Sequence, residues 1–210
     1  TISYLLLEGG QGGTLDGMGW TGRITTAVFQ SATRTSGFNT VDIGAVGTPM
    51  LFLIIILMFI GASSSSTGGG IKTSTFAVVI AHVMGTIRGR QHPQLFRKSI
   101  GITMRGRAWG ILMFFIVFNL IGTLALTLTE PHILAESNRG FLQLLFEQVS
   151  ALGTVGLSTG ITGDISTLGR GILIASMIIG RVGTLTVAFA FSRSVVSRNY
   201  KYPEGHTMIG

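Results

Sequence analysis

Laid on itself with a shift of 119 residues, the chain matches twice in one register. Ser31-Ala32-Thr33-Arg34-Thr35-Ser36-Gly37-Phe38-Asn39-Thr40 falls on Ser150-Ala151-Leu152-Gly153-Thr154-Val155-Gly156-Leu157-Ser158-Thr159, with five of ten positions identical. Without a gap, Met58, Ile60 and Gly61 then fall on Met177, Ile179 and Gly180. The 31 glycines alone would give scattered matches, but hardly two blocks in one register. The chain reads as two copies of one unit: a short amphipathic helix, a Gly-containing turn and a long apolar span. Residues 22–32 supply the short helix of copy one, and residues 139–151 that of copy two. Phe141, Leu144, Leu145 and Val149 give the second helix an apolar face, with Ser137 and Asn138 as candidate caps.

The spans set the solvent. Residues 108–128 carry no charge, and about 20 such residues cross about 30 Å of hydrocarbon. Residues 171–191 are a second apolar run, broken only by Arg181. Between 49 and 84, two apolar stretches flank Ser-Ser-Ser-Ser-Thr-Gly-Gly-Gly at 63–70. The whole is too long for one straight crossing and each half too short. Two short buried helices on a flexible linker would fit. The favoured reading is one crossing helix broken at membrane depth, where irregular backbone survives only if it lines a cavity or is covered by protein.

Charge placement gives direction. Arg88, Arg90, Arg97, Lys98, Arg105 and Arg107 lie in 85–107 with no acid, and Arg193, Arg198 and Lys201 follow the last span with only Glu204. Both segments are expected to be cytoplasmic. Segments 8–48 and 129–170 hold the other seven acids and four bases and belong outside. The net +7 therefore comes from a membrane asymmetry. Charged residues are only 11% of the chain against about 25% in soluble domains, so no nucleic-acid partner is expected. Contact with anionic lipid is compatible with the basic segment. Without cysteine there are neither disulfides nor thiolate zinc sites. Each short helix enters from outside and returns outside, which makes it re-entrant.

A re-entrant helix aims the negative end of its dipole at the turn that follows. The carbonyls of that turn need partners, and a dehydrated cation is a natural one. Glycine supplies left-handed backbone angles there. Thr154-Val155-Gly156-Leu157 resembles the start of the Thr-Val-Gly-Tyr-Gly filter of potassium pores. With the repeat, the preceding helix and the following span, the chain resembles the Trk/Ktr/HKT potassium transporter superfamily, above all the bacterial Ktr-type membrane subunit. The matching residues are Thr33 to Asn39, Gly61 to Lys72, Ala151 to Ser158, Gly180 to Thr186, and the ending Lys201-Tyr202-Pro203-Glu204.

The resemblance implies an all-α membrane protein of repeated helix–pore loop–helix units, K⁺-channel-like, with a broken helix carrying an intramembrane loop. Residues 1–84 would end the third of four repeats, 85–107 form a basic cytoplasmic linker, 108–196 form the fourth repeat, and 197–210 form a cytoplasmic tail. The implied filter residues are Thr33, Arg34, Thr35, Ser36 and Gly37 with Leu152, Gly153, Thr154, Val155 and Gly156. The implied gate is Ala62, Ser63, Ser64, Ser65, Ser66, Thr67, Gly68, Gly69, Gly70, Lys72 and Arg181. The repeat register sets Arg181 opposite Ala62, so Arg181 is expected to face the pore beside the loop rather than snorkel to the interface. Lys72 either anchors loop carbonyls or reaches water. K⁺ is the expected ion, Na⁺ a candidate second ion, and no organic cofactor is expected. Expected partners are the missing N-terminal half of the same protein, a second copy in a homodimer, a cytoplasmic nucleotide-binding regulatory ring and membrane lipid. The expected location is the cell membrane.

Other patterns carry less. Gly156-Leu157-Ser158-Thr159-Gly160 fits a nucleophile elbow, which makes an intramembrane serine hydrolase the alternative, but that motif needs a strand before it. A scaffold without transport is a further alternative. Gly-Gly-Ile-Lys-Thr at 69–73 departs from a P-loop because Ile71 separates glycine from lysine. His82 on an apolar face reads as packing.

Overall fold

The computed structural model describes residues 1–10, 12–63, 66, 68–89, 94–95, 98–136 and 138–193, with backbone only at 94, 95, 98 and 183–193. Ser64, Ser65, Thr67 and the tail from 194 onward lie outside the described residues. The described chain is mostly helical: α1 (Ile2–Glu8), α2 (Trp20–Thr33), α3 (Thr48–Phe59), α4 (Thr73–Ile87), α5 (Ile102–Thr129), α6 (Pro131–Glu136), α7 (Gly140–Leu152) and α8 (Thr167–Arg193). Two two-residue strands, Gln94–Leu95 and Lys98–Ser99, pair between α4 and α5.

Element ends follow the repeat register. α2 ends at Thr33 and α7 at Leu152; α3 begins at Thr48 and α8 at Thr167. Both pairs are 119 residues apart. The copies part company after Phe59, where α3 stops but α8 continues through the equivalent positions. Pro49 in the first turn of α3 fits that start, because a missing N–H costs nothing there.

Two buried glutamates repeat the same joint. Glu8, closing α1, accepts the N–H of Gly47 at 2.8 Å, and Gly47 caps α3. Glu130, after α5, accepts the N–H of Ser166 at 3.1 Å and the Ser166 hydroxyl at 2.5 Å, just before α8. Gly47 and Ser166 are again 119 apart. Each carboxylate meets free N–H groups at the positive end of the next span, which suits a buried acid. Neither glutamate stood out in the sequence. The available signal was an acid closing an apolar run.

α5 packs against α4, α7 and α8, and α3 packs against α7. Among the described residues, Ile102–Thr129 is the helix long and apolar enough to cross a membrane, with mean hydropathy 2.4 over its best window. It begins six residues before 108, so Arg105 and Arg107 ride on its first turns. Long basic side chains at a helix end can keep their charge in water while their stems cover apolar surface. Leu120, Leu124 and Leu128 line one exposed face of α5, and Ile174, Ile178 and Val182 one exposed face of α8. Apolar stripes of this kind need lipid or protein cover. His82 packs edge-on to Trp109, with ring centroids 6.4 Å apart.

Candidate functional site

The two turns meet. Gly37 has φ +74° and Gly156 φ +88°, both left-handed. A Cβ on Gly37 would lie 2.8 Å from Val155 O and 3.2 Å from the Gly156 Cα. Glycine is therefore needed there both for its backbone angle and for the close approach. Farther along, a Cβ on Gly44 would lie 2.6 Å from Thr159 O, so the segments after the turns also run close together.

The second turn is tied to its helix. Thr154 N bonds Ala151 O at 3.1 Å and Val155 N bonds Ser150 O at 2.9 Å. This is a Schellman closure of α7, with Thr154 at φ +51° where glycine is usual. Leu152 and Thr33 thus end helices, and regular secondary structure stops at Val155 in the second copy. Ser150 Oγ donates to Leu157 O at 2.6 Å. Buried Glu147 accepts from Ser158 Oγ at 2.6 Å, Thr159 N at 2.9 Å and Thr162 Oγ1 at 3.1 Å. Sequence reasoning missed Glu147. An acid on a short apolar helix, eleven to fifteen residues before a run of hydroxyls, is the signal that points to such a brace.

These bonds also define Ser158. Its hydroxyl is engaged by Glu147, by Thr162 at 2.8 Å and by Gly160 N at 2.9 Å, while His132 contacts Asp164 O at 3.2 Å. A helix precedes the turn where a nucleophile elbow would have a strand.

The break after α3 folds against both turns. Its ends are joined by Gly61 N to Ile71 O at 2.9 Å and Thr73 N to Ala62 O at 3.3 Å. Gly69 N donates to Thr154 Oγ1 at 2.7 Å. Lys72 Nζ donates to Ser66 O at 2.8 Å and Gly68 O at 2.5 Å, so it anchors loop carbonyls. From the first turn, Arg34 Nη1 donates to Leu57 O and, at 3.1 Å, to Ile60 O, at the C-terminal end of α3. A guanidinium there meets both unsatisfied carbonyls and the negative dipole end.

Arg181 lies beside this assembly. It is exposed, its charge is within electrostatic reach of Lys72, and it lines a cavity of about 490 Å³ with Glu147, Thr154, Gly156, Ser158 and Met177. The structure thus brings together Arg34, Gly37, Thr154, Val155, Gly156, Gly69, Lys72 and Arg181. Ser64, Ser65 and Thr67 lie outside the described residues.

Known proteins are similar to this sequence. Ktr system potassium uptake protein B of Bacillus subtilis is 39% identical over 212 residues, covering 100% of this chain and 45% of that protein. Ktr system potassium uptake protein D of the same organism is 40% identical over 195 residues, covering 92% and 42%. Potassium/sodium uptake protein NtpJ of Enterococcus hirae is 32% identical over 224 residues, covering 100% and 49%. The chain spans about half the length of these curated relatives, which are transporters by name rather than enzymes. Residues 14–201 match the TrkH family, described as cation transport protein, and the chain belongs to that family.

Proposed function

We propose that this chain supplies two of the turns and the gate of a K⁺-conducting pore in the cell membrane. The observation that carries the reading is the abutment of two register-equivalent left-handed glycines, Gly37 and Gly156, each at the end of a short helix. Carbonyls of Arg34 to Gly37 and Gly153 to Gly156, with those of Thr33 and Leu152, would replace the hydration shell of the ion. The Ser/Gly loop from Ala62 to Gly70 would close the path, held by Lys72. Arg181 would raise the barrier to a cation by its charge. Further units of the same kind complete the ring, as expected for a protein about twice this length. The names of the relatives support K⁺ as cargo, and that of NtpJ supports Na⁺ as a second ion. A second copy and a cytoplasmic nucleotide-binding ring are the partners we propose, with 85–107 and the tail facing the cytoplasm.

Two experiments on the full-length protein in K⁺-uptake-deficient cells test this. Gly156→Ser should lower the preference for K⁺ over Na⁺, because a side chain at φ +88° forces the turn to rearrange; unaltered selectivity contradicts the filter. Deleting Ser63 to Gly69, or Arg181→Ala, should raise K⁺ flux. Unchanged flux in both contradicts the gate.

A further inference from the structure

Between α3, α4, α5 and α7 lies a cavity of about 300 Å³. That is the low end of the range for small-molecule sites, about 300–1,000 Å³. Its walls include Ile56 and Phe59 from α3, Phe76 from α4, Leu120 from α5 and Val149 from α7. Among the described residues that line it, Asn119 alone is polar. Asn119 is only 6% exposed. Its Nδ2 donates to Phe115 O at 2.8 Å, which fixes the orientation of the amide. Its Oδ1 has no hydrogen-bond partner among the described residues. A buried acceptor without a donor costs about 1–3 kcal/mol, so the site calls for a donor.

Position and surroundings narrow what that donor is. Asn119 stands midway along α5 between Arg107 and Glu130, roughly 17 Å from each at about 1.5 Å per residue. Half the hydrocarbon thickness is about 15 Å, so phospholipid headgroup donors lie too far off, and phospholipid tails carry none. A water molecule needs about two to four polar partners, and the lining residues offer one. The unpartnered hydroxyl of Thr123, one turn on, does not belong to a lining residue. Leu120 and Ile56 are exposed, so the cavity opens at the apolar surface of the helices.

We propose that this cavity binds a small apolar alcohol taken from the bilayer. Its hydroxyl donates to Asn119 Oδ1, and its chain lies against Phe59, Phe76 and Val149. The four helices around the site all belong to this chain, and the site is independent of the pore reading above. The occupant rests on α7, the helix that leads into the second turn.

The test uses the full-length protein in phosphatidylcholine nanodiscs and an octanol that carries a photoreactive diazirine. Adducts are mapped by tandem mass spectrometry. Labelling should concentrate on Ile56, Phe59 and Leu120 over Leu128 and Ile178, which are exposed away from the cavity. Even labelling of both groups means partition into the bilayer only and overturns the site. 1-Octanol should compete more strongly than octyl methyl ether, which has no donor, when both are compared at equal concentration in the membrane. One net hydrogen bond sets the difference at about 2- to 10-fold. Equal competition overturns the role of the hydroxyl. Asn119→Leu should bring 1-octanol down to the level of the ether; an unchanged advantage for the alcohol overturns Asn119 as the acceptor. Should that variant fail to fold, Asn119→Asp, which keeps an acceptor and loses the bond to Phe115 O, must retain the advantage, and its loss there overturns the proposal.

Discussion

Gly180→Ala is the sharpest test of how α7 and α8 fit. A Cβ on Gly180 would lie 1.9 Å from Leu152 O, against 3.4 Å for ordinary contact. The helices must therefore separate by about 1.5 Å, and the atom in the way is backbone with no rotamer to escape into. Overpacking of this kind costs about 1–3 kcal/mol. Alanine's better helix propensity returns about 1 kcal/mol at most. Gly171 on the same helix has nothing within 4 Å, so Gly171→Ala receives the propensity gain without the clash. Thermal unfolding in detergent should place Gly180→Ala several degrees below the parent and Gly171→Ala at or above it. Leu152 leads directly into Gly153 and Thr154, so the Gly180 variant should also disturb ion flux. If the two variants melt together, α7 and α8 do not touch at Leu152 as described.

The crowding at Gly122 is of another kind: its Cβ would overlap the carboxamide end of Gln148, which can swing away. Gly122→Ala should cost less than Gly180→Ala in the same melting assay, with the loss limited to the Gln148–Ser176 bonds of 2.9 and 3.2 Å. Arg34→Gln leaves the Leu57 and Ile60 carbonyls short of a charged donor, and should cost about 1–3 kcal/mol in melting while Arg34→Lys recovers part. In the loop before α2, the N–H groups of Gly12 and Gly17, with Arg23 at 3.9 Å, hold the Asp16 carboxyl below its usual range. A lowered folded value means that the loop's stabilisation is complete above the ordinary carboxylate range and is lost as pH falls through the lowered value. Amide exchange at Gly12 and Gly17, corrected for intrinsic rates, should lose protection on that acid side, and Asp16→Asn should flatten the profile.

The sequence alone determined what is periodic or local. The shift of 119 places the helix ends and helix starts of both copies, because each depends on residues near in the chain. It also singled out Gly37, Gly156, Gly61 and Gly180, because backbone that approaches backbone leaves glycine as its trace. Charge counts and apolar runs set the class, since a bilayer excludes charge wherever the chain crosses it. Tertiary structure decided what depends on partners far along the chain. Glu147 reads as one acid among eight until Ser158, Thr159 and Thr162 close on it. Lys72 is a nearer case: its partners Ser66 and Gly68 lie six and four residues back, and the folded loop chose between its two readings. Arg34 looked like part of a turn, and its side chain proved to hold the end of α3, 23 residues away. Hydrogen-bond partners at such separations leave no period in a sequence. The bonds of Glu147 and Arg34 are buried or part-buried, and the fold is what shields them from water as the competing partner.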